Sequence, residues 1–243
     1  MKKLDILGVP FDRYTRDEYH ELFKERILNH KKTMVVTANP EIVMAAQENP
    51  QYMKLLNETP DFIVPDGIGI VYASKWLKEP LKDRVPGYEL FTWMLSLANE
   101  HQLRVYFIGA KPEVIADLEK KVATEYPQLV IAGIEDGYFK EDLEMVARRI
   151  KQAKPDLVFA AVGFPKQDQL LAKASELDVP ALMMGVGGSF DVFSGHMTRA
   201  PKTFQKLHLE WLYRVLKEPS RLPRMMALPR FVLQVKKEAR KRR

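Results

Sequence analysis

The chain of 243 residues contains no cysteine. That absence removes zinc–thiolate sites, iron–sulfur clusters and thiol nucleophiles, and offers nothing in favour of an oxidising compartment. Histidine is scarce, and His20, His30, His101, His196 and His208 form no metal-ligand spacing. No two aspartates stand at i, i+2, so the DxD metal–nucleotide motif is missing, as are the serine-hydrolase elbow and the P-loop. No run approaches 18 apolar residues, so no helix is expected to span a membrane. Near the N-terminus Asp5 and Asp12 interrupt any apolar stretch, so no signal peptide is expected.

What remains is a globular composition, 46% hydrophobic and 29% charged. The net charge of +6 is unevenly placed. Residues 196–243 carry 14 basic and 3 acidic side chains, a net +11, against 24 basic and 29 acidic in residues 1–195, a net −5. A mildly acidic body with a basic tail suggests a polyanionic partner, either nucleic acid or an anionic membrane surface.

Short apolar runs at 4–9, 33–38, 61–64, 104–108, 129–132, 157–161 and 181–184 read as strands. Amphipathic stretches at 15–30, 113–126 and 143–153 read as helices between them. This alternation predicts an α/β, Rossmann-like fold with a mainly parallel sheet and helices on both faces, over residues 1–195. Beyond it, residues 196–243 are expected to form a helical basic appendage. Its first helix carries an apolar stripe of Phe204, Leu207, His208, Trp211, Leu212 and Val215, which docks on the body or enters the lipid interface with equal merit. Residues 228–243, apolar then basic, are expected to meet the membrane.

In an open α/β sheet, ligands bind beyond the carboxyl ends of the strands. Polar and glycine residues gather there: Thr37 and Asn39, Asp66 in PDG, Asp136 and Tyr138 in DGYF, Lys166 and Gln167 after GFP, and Gly185, Gly187, Gly188 and Asp191 in GVGGSFD. A carboxylate at an apolar strand end, Asp66, suits general-base work. The glycines permit close backbone approach and an anion nest. Arg84, just before a Pro–Gly helix start, is a candidate phosphate ligand. The GVGG turn is not a dinucleotide fingerprint, because no acidic residue follows about twenty positions on.

Taken in order, TANPEIV, VPDGIGIV, RVPG, GFPKQ, GVGGSFDVFSG and RAPKTFQKLHLEWLYRVLKEPSR resemble the WecG/TagA/CpsF glycosyltransferases over essentially the whole chain. The resemblance implies transfer from a UDP-sugar donor to a polyprenyl-diphosphate-linked N-acetylglucosamine acceptor, with inversion, without a bound metal and without a cofactor. It places the base on Asp66, a further catalytic role on Arg84, substrate contacts on Thr37, Asn39 and Gln167, and lipid-diphosphate or membrane contacts on Arg214, Arg221 and Arg224. It also implies a cytoplasmic enzyme, peripheral on the inner face of the cell membrane. Two positions depart from the family pattern: Asp168 stands where Glu is common, and Asp136 where His is common.

Two other classes compete. A nucleic-acid-binding protein would place base-stacking aromatics among the tail's basic residues, yet Phe204, Trp211 and Phe231 lie in apolar helical patterns; no nucleic-acid partner is therefore expected. A dinucleotide oxidoreductase or a methyltransferase lacks its acidic residue after GVGG. The residues leave a homo-oligomer open.

Overall fold

The computed structural model describes residues 3–198, 200–201, 204, 211–213 and 225–242. In chain order the elements are β1 (Leu4–Ile6), β2 (Val9–Phe11), α1 (Arg16–Leu28), β3 (Thr33–Ala38), α2 (Pro40–Glu48), α3 (Pro50–Glu58), β4 (Phe62–Pro65), α4 (Ile68–Trp76) and α5 (Gly87–Glu100). They continue with β5 (Arg104–Gly109), α6 (Pro112–Glu125), β6 (Val130–Glu135), α7 (Leu143–Ala153), β7 (Leu157–Ala161), α8 (Lys166–Glu176), β8 (Leu182–Gly185), α9 (Ser189–Ser194) and α10 (Ala227–Lys241).

Six strands form one sheet in the order β4-β3-β8-β7-β5-β6, and every pair is parallel. Strand side chains alternate between two cores, as the pleat requires. In β3, Met34, Val36 and Ala38 face one core and Val35 the other. The first core packs α2, α3, α4, α7 and α8 on one face of the sheet, and the second packs α1, α5, α6 and α9 on the other. The central strands are apolar throughout because helices cover both faces.

The stretch 4–9, expected as one strand, is instead the start of a hairpin. Leu7 and Gly8 both take positive φ, at 53° and 82°, the backbone of a two-residue turn. β1 and β2 pair antiparallel in a separate two-stranded sheet, with Leu4, Ile6, Val9 and Phe11 buried in the first core.

The described end of the chain, α10, lies against α2 and α4. Phe231 and Val235, four apart and so on one helix face, are buried in the first core. Part of the apolar segment expected at the membrane is thus spent on the body. Leu233 stays 68% exposed, and Met226, seven residues before it, is 58% exposed. Arg230 pairs with Glu48 at 2.5 Å, and Arg242 reaches Asp5 at 3.2 Å. Such exposed pairs contribute little, so the apolar contact holds the helix down. Phe231→Ala should lower unfolding free energy by about 3–5 kcal/mol, and Leu233→Ala by less than about 0.5 kcal/mol. Denaturant titration checks this; equal small effects would mean that α10 is not docked through Phe231.

Candidate active site

The strand exits build the site. After β3 and after β7 the chain enters the helical layer of α2 and α8, whereas after β8 it enters the opposite layer through α9. β8 lies between β3 and β7, so its exit parts from both neighbours. Crevices of this kind, at the carboxyl ends of parallel strands, are where ligands bind in open α/β sheets.

On the β3 side, local hydrogen bonds gather the expected residues. Asn39 caps α2, its Oδ1 accepting from Ile42 N at 3.0 Å. The Asp66 amide donates to Ala38 O at 3.0 Å, which fixes this partly buried aspartate beside the end of β3. The Val85 amide donates to Pro65 O at 3.0 Å, which carries the Arg84 turn to the same strand end. Gly87, opening α5, lies so near Thr37 that a Cβ there would stand 2.9 Å from Oγ1. Thr37, Asn39, Asp66 and Arg84 thus come together around the ends of β3 and β4.

On the β8 side, Thr37 Oγ1 donates to Gly185 O at 3.4 Å. A Cβ on Gly185 would stand 2.4 Å from Gln167 Nε2 and 3.1 Å from Asp168 Oδ1; only glycine lets this backbone lie on those two side chains. Gln167 and Asp168 open α8, and both are buried, at 5% and 0% exposure. Gln167 Oε1 accepts from Gly187 N at 3.3 Å, so this side chain supports the turn from beneath. Tyr52, on α3, donates its hydroxyl to Asp168 Oδ2 at 2.5 Å. Neither Tyr52 nor this floor is visible in sequence, where the helix that carries Tyr52 is itself not read.

The glycine turn is partly committed within the protein. Val186 N donates to Ala160 O at 2.8 Å, Ser189 N to Val186 O at 3.1 Å, and Gly187 N to Gln167. A nest in this conformation therefore has fewer amides to offer than the glycine count suggests. Gly187, at φ +50°, has open space where a Cβ would be, so a ligand has room to approach the turn. Asp191, partly buried, sits in the first turn of α9 with its carbonyl accepting from Met197 N at 2.8 Å.

Tyr138 stands apart. It is 65% exposed on the loop after β6, which is three places along the sheet from β8, or about 14 Å at ordinary strand spacing. Its loop is tied back by Gly137 N to Ala110 O at 2.8 Å and by Lys166 Nζ, 3.9 Å over the Phe139 ring. Arg214, Arg221 and Arg224 lie outside the described residues. Among the described residues no three His, Asp or Glu side chains converge as a metal site.

Burial pushes the Asp168 carboxyl up from 3.8 to about 6, against the opposing pull of the Tyr52 hydroxyl and of the nearby Gln167 amide, which completes no hydrogen bond to Oδ1. A raised acid is a folded-state preference for the neutral form. The stability tied to it is complete below the ordinary carboxylate range and is lost as pH rises through about 6, a loss of roughly 3 kcal/mol. Asp168→Asn removes the titration, so it should gain about 1–3 kcal/mol over the parent at pH 7.5 and nothing at pH 4. Denaturant titration at both pH values checks this; a gain independent of pH would contradict the assigned cause.

The chain matches the model of the WecG/TagA/CpsF glycosyl transferase family over residues 4–243. It is similar to an N-acetylglucosaminyldiphosphoundecaprenol N-acetyl-beta-D-mannosaminyltransferase of Bacillus spizizenii, 46% identical over 211 residues, or 87% of this chain and 81% of that one. Proteins of the same name from Bacillus subtilis and Staphylococcus aureus strain MW2 are 37% and 39% identical, over 100% and 98% of this chain and 94% of each relative. With a family match over residues 4–243 and an α/β sheet that gathers Thr37, Asn39, Asp66, Arg84 and Gln167 at one edge, the chain belongs to the WecG/TagA/CpsF family of glycosyl transferases.

Proposed function

We propose that the protein transfers N-acetylmannosamine from UDP-N-acetylmannosamine to N-acetylglucosamine carried on undecaprenyl diphosphate, with inversion, as a step of teichoic acid linkage-unit assembly. The names of the similar proteins support the acceptor and the transferred sugar. The observation that carries the site assignment is the convergence of Asp66, Arg84 and Thr37 around the ends of β3 and β4, next to the open turn after β8.

In this reading the acceptor hydroxyl oxygen attacks the anomeric carbon, its proton passes to Asp66, and the bond from that carbon to the UDP oxygen breaks. A single displacement of this kind inverts the centre. Asp66 acts as general base. The charge developing on UDP is met by Arg84 and by the backbone donors of the site. Thr37, Asn39, Gln167 and Asp191 line or support the pocket, Tyr138 stays outside it on the loop after β6, and Arg214, Arg221 and Arg224 serve the lipid diphosphate.

A lipid-linked acceptor must be met at a membrane. No helix among the described residues is long and apolar enough to cross one, which fits a peripheral contact. The exposed Leu233 and Met226 support it, as do Tyr72 at 46% exposure, with Lys75 5.9 Å from its ring, and Lys236, 5.3 Å over Trp76. Exposed apolar side chains together with lysines suit an anionic interface, and with the +11 tail they support a peripheral position on the inner face of the cell membrane.

The test is transfer from UDP-N-acetylmannosamine to a short-chain lipid-diphosphate N-acetylglucosamine. The parent should turn over, and Asp66→Asn should lose about 10²–10⁴-fold in kcat with UDP affinity little changed. Near-normal turnover by Asp66→Asn would end the assignment of the base. Absence of transfer by the parent, with turnover of another UDP-sugar, would change the donor.

A further inference from the structure

Tyr52 and Asp168 take no part in the transfer as derived, yet both are buried beneath the site, at 1% and 0% exposure. Asp168 Oδ2 accepts the Tyr52 hydroxyl, while Oδ1, also buried, has no hydrogen-bond partner. Buried oxygens left in that state are rare in native proteins and call for an explanation. Its surroundings supply one. Gln167, the preceding residue, holds Gly187 N through Oε1, and Gly185 lies directly on the Gln167 amide and Asp168 Oδ1. Gly185 O in turn accepts from Thr37 Oγ1. Asp168 therefore stands one side chain below both halves of the site.

Nothing lies within 4 Å of where a Cβ on Gly187 would be, on the outer side of the turn. Glycine at positive φ there resists few alternative backbone states by itself. Backbone bonds hold Val186 and Ser189, and the Ser189 hydroxyl also donates to Val186 O, but the Gly187 amide is held from beneath, by Gln167 Oε1 beside Asp168.

We propose that the Tyr52–Asp168 pair is a positioning clamp for the turn 185–188, acting through Gln167, and that it thereby orients the nucleoside diphosphate of the donor. The Tyr52 hydroxyl fixes the plane of the carboxyl, and the carboxyl edge confines the Gln167 amide. Gln167 then keeps its oxygen on Gly187 N, and the turn keeps its open face toward the ligand. An apolar residue at 168 would fill the same space without fixing the direction of Gln167. The part concerning the diphosphate rests on the UDP-sugar reading above.

The experiment uses the full chain as parent, as Tyr52→Phe, which deletes one oxygen, and as Asp168→Asn, which keeps an acceptor for Tyr52. Amide hydrogen exchange is followed across 185–189, and UDP affinity is measured by calorimetry. Loss of one buried hydrogen bond corresponds to about a tenfold change, so Tyr52→Phe should speed exchange at Gly187 and weaken UDP by about that factor. In a transfer assay it should raise the donor KM while kcat and the acceptor KM stay within about threefold. Asp168→Asn keeps an acceptor for Tyr52 but sets an NH2 group against Gln167 Nε2, so it should also speed exchange at Gly187 and weaken UDP.

Unchanged exchange at Gly187 in Tyr52→Phe overturns the clamp, and so does acceleration spread evenly over α3, α8 and the sheet, which marks a purely structural role. Faster exchange at Gly187 with unaltered UDP affinity overturns its service to the donor. If the parent itself has no UDP affinity, the donor reading fails and takes the diphosphate role with it, while exchange at Gly187 still decides the clamp.

Discussion

β8 sends the chain into one helical layer while β3 and β7, on either side of it, send theirs into the other. The gap this opens at the carboxyl edge is the constraint on which the rest of the molecule depends. The buried apolar strands set the order of the sheet, the order sets which exits diverge, and the divergence leaves backbone and polar side chains facing a common space. The residues proposed for catalysis and substrate contact need no special scaffold of their own. Asp66 and Arg84 come from one strand end and the turn bonded to it, and Thr37 from the strand beside them.

Close approach is the second requirement. The end of β8 rests on Gln167 and Asp168, and the start of α5 rests on Thr37, at distances that exclude any side chain at Gly185 and Gly87. Polar groups under such contacts cannot be hydrated from outside, so they must be satisfied within the protein. The Tyr52–Asp168 bond and the Gln167–Gly187 bond do most of that, and the remaining oxygen of Asp168 shows how little room is left. In the proposed reading this floor lies beneath the place where the donor's charge is met, and a preorganised polar environment is what electrostatic stabilisation of a leaving group requires.

The sequence exposes the apolar frame well. β3 and β7 are found to the residue, because strands covered on both faces are apolar without interruption. The hairpin at 4–11 is hidden because Leu7, an apolar residue, occupies a left-handed turn position. α2 and α3 are obscured because Asn49 both ends one helix and caps the next, with its Oδ1 accepting from Gln51 and Tyr52 amides. The polar residues at strand ends are legible because position alone marks them. Tyr52 is not, since its hydroxyl partner is 116 residues away in sequence and only folding brings α3 against α8.

The central claim is that the donor nucleotide binds at the divergent exits around β8. The most direct measurement is the hydrogen-exchange footprint of UDP on the full chain. The account predicts slowed exchange at 37–42, 65–68, 163–168 and 185–191, with none at the opposite sheet edge around 31–34 and 154–157. Protection confined to that opposite edge, or to the surface cleft where His20 stacks on Trp93 between α1 and α5, would contradict it.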